Sequence, residues 1–426
     1  MNILDVIAIL VFLSGLFIYI NTFYLKLPST VGLTILAMVL SLIVFIAGHL
    51  FPNLHLARHV ASFDPSDILL RFVIPTMLFA QALNVDLKYV KGQIGLLAFI
   101  SFAGVFISMI IIGTLVYITA LYINMPIGII ECGVFSALIS TTDPISVTST
   151  LKHYAIPRKL NRQMEVEALF NGGMAVTMAF LLISCASFMN EPTYSTSGTM
   201  IMIIQQIIGG LMVGAIVGWV GYKVLDFVDN DDVEVEVIVT LALVLAGSYI
   251  AHLIGVSPVL VAILSGLALG NFGTSAHEEH AVGTYVYKFW QLIKESFAAI
   301  LFVLVGFEML MIPLRLDTLA LGFIATNIVM LARWVAIYLP VKMVDADDVI
   351  DPATVPALAW GALRGGLPIA LALSLDPQVF NKEIIVAMTY VVVVCTVLFQ
   401  GLTLEGVLKE YHVKFISTAV KGKPVL

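Results

Sequence analysis

The sequence predicts an all-α polytopic membrane protein with about 13 transmembrane helices. Three observations support this. Of its 426 residues, 60% are hydrophobic and only 12% are charged, whereas soluble domains carry about 25% charged residues. The apolar residues fall in runs of roughly 20, the length that crosses a bilayer as a helix. Lysine and arginine collect on alternate loops, as they do on the inner side of a membrane.

The spans lie near 4–26, 30–50, 66–85, 94–122, 125–151, 159–189, 198–227, 235–253, 257–272, 285–312, 318–342, 354–376 and 383–410. The first has no charged n-region and no small-residue cleavage site, so it reads as a span and not as a signal peptide. The fifth contains Asp143-Pro144, and a proline behind an aspartate in an apolar run predicts a broken helix. The sixth opens with Glu165 and Glu167, and with the tenth it is long enough to run on along the interface. The seventh carries Gly210, Gly214 and Gly218 at four-residue spacing, a close-packing face that suits a neighbouring helix or a dimer contact. The ninth is short. The twelfth is interrupted by Gly361-Ala362-Leu363-Arg364-Gly365-Gly366-Leu367-Pro368.

With the N-terminus outside, 14 of the 21 lysines and arginines fall in inside loops and the C-terminal segment. Only Arg58, Arg315 and Lys382 fall outside, while Arg71, Lys294, Arg333 and Arg364 lie within spans. The asymmetry predicts an outside N-terminus and a cytoplasmic C-terminus.

An odd span number suits two inverted halves, about 1–190 and about 235–412, joined by a connector helix at about 198–227 and followed by a short tail, 413–426, in one transmembrane domain. The interrupted spans 5 and 12 then occupy the same place in each half. Paired interruptions of this kind point to a binding site at the membrane midplane.

Ionisable groups at that depth are costly and mark function by default. Asp143 can hold a proton or a cation beside an unwound turn, or it can simply cap the broken helix. Thr141, Thr142 and Ser146 offer hydroxyl and carbonyl oxygens, the ligands hard cations prefer. Glu165 and Glu167 have Arg333 and Arg364 as buried partners, and one such pair, Glu165 with Arg364, would hold span 6 to span 12. The remaining glutamate is then free to relay a proton or cation.

His277-Glu278-Glu279-His280 lacks the i, i+4 histidine spacing of a zinc protease and reads as a solvated loop. Asp226, Asp229, Asp231 and Asp232 read the same way. Cys132, Cys185 and Cys395 have no metal or redox spacing. No nucleophile–base pair points to an enzyme, and nothing implies a cofactor, a resident metal or a nucleic-acid partner. The expectation is movement of a small monovalent cation, or a proton against one, across a bilayer.

At these residues the chain resembles the sodium/proton exchanger branch of the monovalent cation:proton antiporters, prokaryotic type. The resemblance rests on Leu78-Phe79-Ala80 with Asp86-Leu87-Lys88, on Thr142-Asp143-Pro144, and on Glu165-x-Glu167-x-Leu169-Phe170-Asn171. Gly306-Phe307-Glu308 and Leu363-Arg364-Gly365 complete it, in order and over nearly the whole chain. It implies a homodimer in a bacterial or archaeal plasma (inner) membrane. It also implies an elevator-like movement of a core domain, about 94–189 and 318–410, against a dimer domain. Asn171, with Thr141 and Thr142, would help coordinate the ion.

The chain departs from the family at two neighbouring points. In the family, Asn171 is followed by the aspartate that is the main carrier, and here that position is Gly172. Four residues earlier, where a serine ligand is common, stands Ala168. Positions 165, 168 and 172 share one helical face, so two oxygen ligands are missing from one wall. Three consequences are open: Asp143 or Glu165 takes over the carrier role, the substrate has changed, or the fold persists as a binding or sensor protein without transport.

Overall fold

The computed structural model describes residues 3–50, 68–85, 87, 94–142, 158–189, 196–227, 233–272, 281–308, 315–343 and 355–421. Every predicted span contains a helix. In lipid only internally hydrogen-bonded backbone is stable, so apolar runs fold this way and the few breaks carry meaning.

α1 (Ile3–Ile20) runs on through a wide turn, Asn21–Leu25, and stops at Lys26, whose φ of 54° is left-handed. α2 (Ser29–Leu50) follows. α3 (Ile74–Leu83) is entered through the wide turn Leu69–Val73 and starts with Pro75, where a missing N–H does no harm. α4 (Ile94–Tyr122), α5 (Ile129–Ser140) and α6 (Arg158–Met189) complete the first half. α7 joins Thr196–Ile204 to Gly210–Phe227 through the wide turn Gln205–Gly209. α8 (Val233–Ile254), α9 (Pro258–Phe272), α10 (Ala281–Glu308) and α11 (Leu316–Met343) come next. The twelfth span is two short helices, α12 (Val355–Trp360) and α13 (Leu367–Leu373). α14 (Lys382–Lys421) continues through most of the segment read as a tail.

Burial differs widely among the helices. Among the described residues, eight helices are long and apolar enough to cross a membrane, and the shorter apolar ones are Leu69–Leu83, Ile129–Ser140 and Pro258–Asn271. All ten residues of α3 and all seven of α13 are buried. Outer helices instead turn large apolar side chains outward, among them Phe12, Phe23, Met212 and Trp219. α5 has 12 residues, about 18 Å of helix against roughly 30 Å of hydrocarbon. It is a half-helix that ends inside the protein.

The glycine face of α7 packs on α9 of the same chain. A Cβ at Gly214 would stand 2.9 Å from Leu264 Cβ and 3.0 Å from Val261 Cα, and one at Gly218 2.6 Å from Ala268 Cβ. Close approach, rather than a contact with a second copy, occupies this seam. Asp226 is exposed at the end of α7, while Asp229, Asp231, Asp232 and the His277–His280 motif lie outside the described residues.

Candidate functional site

The site begins where α5 stops. Thr141 leaves the helix with φ −60° and ψ 136°, and its Oγ1 turns back to donate to Leu138 O at 2.9 Å. Pro144 in the sequence accounts for the stop, because a proline has no N–H for the carbonyl four residues back, here Ser140, and its ring crowds that carbonyl. Asp143, Pro144 and Ser146 lie outside the described residues. A helix end leaves carbonyls without partners and carries partial negative charge. Here a buried cation supplies the donors: Arg364 Nη1 donates to Thr141 O at 2.8 Å and to Ser140 O at 3.3 Å.

Arg364 reaches them from the other break. Residues 361–366 are non-helical between α12 and α13, and Arg364 is 1% exposed. Glycine is required here for close approach. A Cβ at Gly366 would lie 2.8 Å from Leu301 Cβ on α10, and one at Gly361 would lie 2.7 Å from Ala357 O. α13 begins at this point, so its positive end faces the negative end of α5.

α6 and α11 close the network. Glu167 and Arg333, both buried, form an ion pair at 2.8 Å. The pair therefore joins Glu167 to α11, a tie that the sequence left unassigned, since it named Arg333 only as an available partner. Residues two apart on a helix point different ways, and Glu165 is only half-buried. The Asn171 amide, oriented to match its neighbours, donates to Ser140 O at 2.8 Å and Thr142 Oγ1 at 3.3 Å and accepts from Arg333 Nη1 at 2.9 Å. One chain of contacts thus runs Glu167–Arg333–Asn171–Ser140–Arg364. Glu167, Arg333 and Arg364 are the buried charged side chains among the described residues.

Beside this network lies a cavity of about 10 Å³, room for about one water or a small ion. Thr141, Thr142, Gly172, Gly365 and Gly366 line its polar side, and Met77, Leu301 and Phe302 its apolar side. A Cβ at Gly172 would stand 3.3 Å from Thr142 O, a tight contact with backbone. Ala168 is buried on the same helix. Among the described residues no cluster of three or more His, Cys, Asp or Glu is placed to hold a metal.

The structure therefore brings Thr141, Thr142, Asn171, Glu167, Arg333 and Arg364 together. Sequence reasoning missed two participants. The Ser140 carbonyl receives both Asn171 and Arg364, and no side-chain signal marks a backbone oxygen. Gln81, a single amide within an apolar run, also lines the cavity.

The profile of a family described as sodium/hydrogen exchanger, transmembrane, matches residues 7–410. The chain is 35% identical over 419 residues to the Na(+)/H(+) antiporter NhaP of Pseudomonas aeruginosa, covering 96% of this chain and 97% of that protein. It is 30% identical over 341 residues to the Na(+)/H(+) antiporter NhaH of Halobacillus dabanensis, covering 79% of this chain and 81% of that protein. The fold matches the structure of the sodium proton antiporter MjNhaP1 from Methanocaldococcus jannaschii at pH 8 with a TM-score of 0.69 at 18% identity, over 96% of this chain and 98% of that one.

Proposed function

Because the chain belongs to the sodium/hydrogen exchanger family of transmembrane proteins, we propose that it exchanges protons for monovalent cations, sodium foremost, by alternating access. It is a transporter and not an enzyme. The crossing of the two breaks supports this reading best. Arg364 caps the carbonyls of Ser140 and Thr141 beside a small cavity lined by Thr141, Thr142 and Gly172.

In this proposal Asp143, next in sequence to Thr142, takes the proton or the cation in turn. Asn171 and the oxygens of Thr141 and Thr142 shape the site, and Glu165 is the relay. The Glu167–Arg333 pair holds α6 to α11. With one carboxylate carrier, one proton moves against one cation, and a final ion distribution that depended on voltage would count against this. The homodimer, the elevator movement of about 94–189 and 318–410, and the outside N-terminus belong to the same proposal. A monomer mass in mild detergent would remove the dimer.

Gly172 supports a second reading, a relative with a changed substrate or without transport. A side chain there would place its Cβ 3.3 Å from Thr142 O, so an aspartate is accommodated if that carbonyl shifts by a few tenths of an ångström. Without one, two buried guanidiniums face one buried carboxylate among the described residues. The test is exchange in proteoliposomes with a pH dye and pulses of sodium, lithium and potassium. Exchange in the wild type that Asp143→Asn abolishes supports the first reading. No wild-type exchange, with activity gained in Gly172→Asp, supports the second.

A further inference from the structure

We infer that Gln81 on α3 is a ligand of the transported cation, its amide oxygen adding to the cavity lining that Thr141, Thr142 and Gly172 share; this rests on the cation-exchange reading above. Gln81 is 6% exposed and its Oε1 has no hydrogen-bond partner. Buried polar atoms are nearly always partnered, so an orphan calls for a specific explanation. Solubility does not provide one, because every residue of α3 is buried. Helix capping does not either, because Asn84 takes the C-cap position.

The position of the amide explains it. Gln81 shares the cavity with Thr141, Thr142 and Gly172, and α3 packs against α6 and α9 as well as α10. Its neighbours around the opening are Met77, Leu78, Ala298, Leu301 and Phe302, none of which offers a side-chain oxygen. An amide oxygen is a hard, neutral donor of the kind that binds sodium-like ions. It takes up no proton in the physiological range. Gln81 therefore serves cation affinity and leaves the proton step to the carboxylate, which makes it a specificity-determining residue.

The purified protein is heated in sodium, lithium, potassium or choline chloride at equal ionic strength, and the same preparation is assayed for exchange in proteoliposomes. A ligand that binds only the folded state raises Tm, so sodium or lithium should raise it above choline in the wild type. Gln81→Met should lose most of that increment. Its KM for the cation should rise about fivefold or more while the maximal rate and its pH midpoint stay put, the signature of lost uniform binding.

A wild-type protein that no cation stabilises beyond choline overturns the inference. So does Gln81→Met with an unmoved KM and an undiminished increment, and in that case normal exchange leaves the transport reading standing. Cation stabilisation that depends on Gln81, in a protein that does not exchange, keeps the site and removes the transport reading. If Gln81→Met does not fold, Gln81→Glu of equal length decides, and an unchanged cation KM there overturns the inference.

Discussion

Arg364 Nη1 lies 2.8 Å from the Thr141 carbonyl and 3.3 Å from that of Ser140, so a cation in one helix break caps the helix that ends at the other. Arg364→Gln leaves a buried acceptor short of a donor, a cost of about 1–3 kcal/mol. We expect a lower Tm and loss of exchange together. Arg364→Lys, a point charge on a flexible stem, should recover part of the Tm and little of the exchange. A wild-type Tm in Arg364→Gln would show that the cap contributes nothing.

The Glu167–Arg333 pair is measured by a double-mutant cycle. Removing one partner of a buried pair typically costs about 3–5 kcal/mol, because an uncompensated charge stays behind. Glu167→Gln and Arg333→Met should each unfold at clearly lower denaturant than the wild type, and the double variant should lose less than the sum of the two. Additive effects would mean that the two side chains, 2.8 Å apart, do not couple.

Glycine contacts between α3 and α9 predict a contrast. A Cβ at Gly270 would stand 2.3 Å from Leu83 O, and one at Gly266 2.6 Å from Phe79 O, both backbone atoms that cannot rotate away. Gly15 has nothing within 4 Å of that position. Gly266→Ala and Gly270→Ala should lower Tm, whereas Gly15→Ala should hold or raise it, since alanine is favoured over glycine in helices by about 0.5–1 kcal/mol. Equal behaviour of the three would contradict the packing of α3 on α9.

Orientation follows from the loop charges and is tested by labelling. On a background lacking Cys132, Cys185 and Cys395, Arg315→Cys should react with an impermeant maleimide added outside intact cells. Lys223→Cys should react only after the membrane is opened. Both original side chains are exposed. The reverse pattern would invert the proposed topology.

Fold and site were legible to different depths. Helix positions were open to reading because a bilayer demands long apolar runs, and all 13 predicted spans contain helix. The two breaks were also open, because Asp143-Pro144 and the Gly-Gly-Leu-Pro run leave local chemical marks. The pairing of Glu167 with Arg333 was not, since it depends on the rotation of α6 and α11 about their axes. The orphaned oxygen of Gln81 was hidden for a related reason, because partnership is a property of the packed neighbours. The glycine seam of α7 fits a neighbouring helix and a second copy equally well until the position of α9 is known.

The half-length of α5 has an electrical consequence. A charge travelling from either surface to its inner end crosses roughly half of the insulating layer. A full crossing is worth about 2.3 kcal/mol per 100 mV, so each half-journey is worth about half that. In the proposed exchange cycle the resting potential would therefore bias each loading and unloading step, even though the complete one-for-one turnover carries equal charge both ways. A pH gradient and a voltage of equal driving force would then change the occupancy of the site differently while leaving the final distribution of ions to the chemical gradients alone.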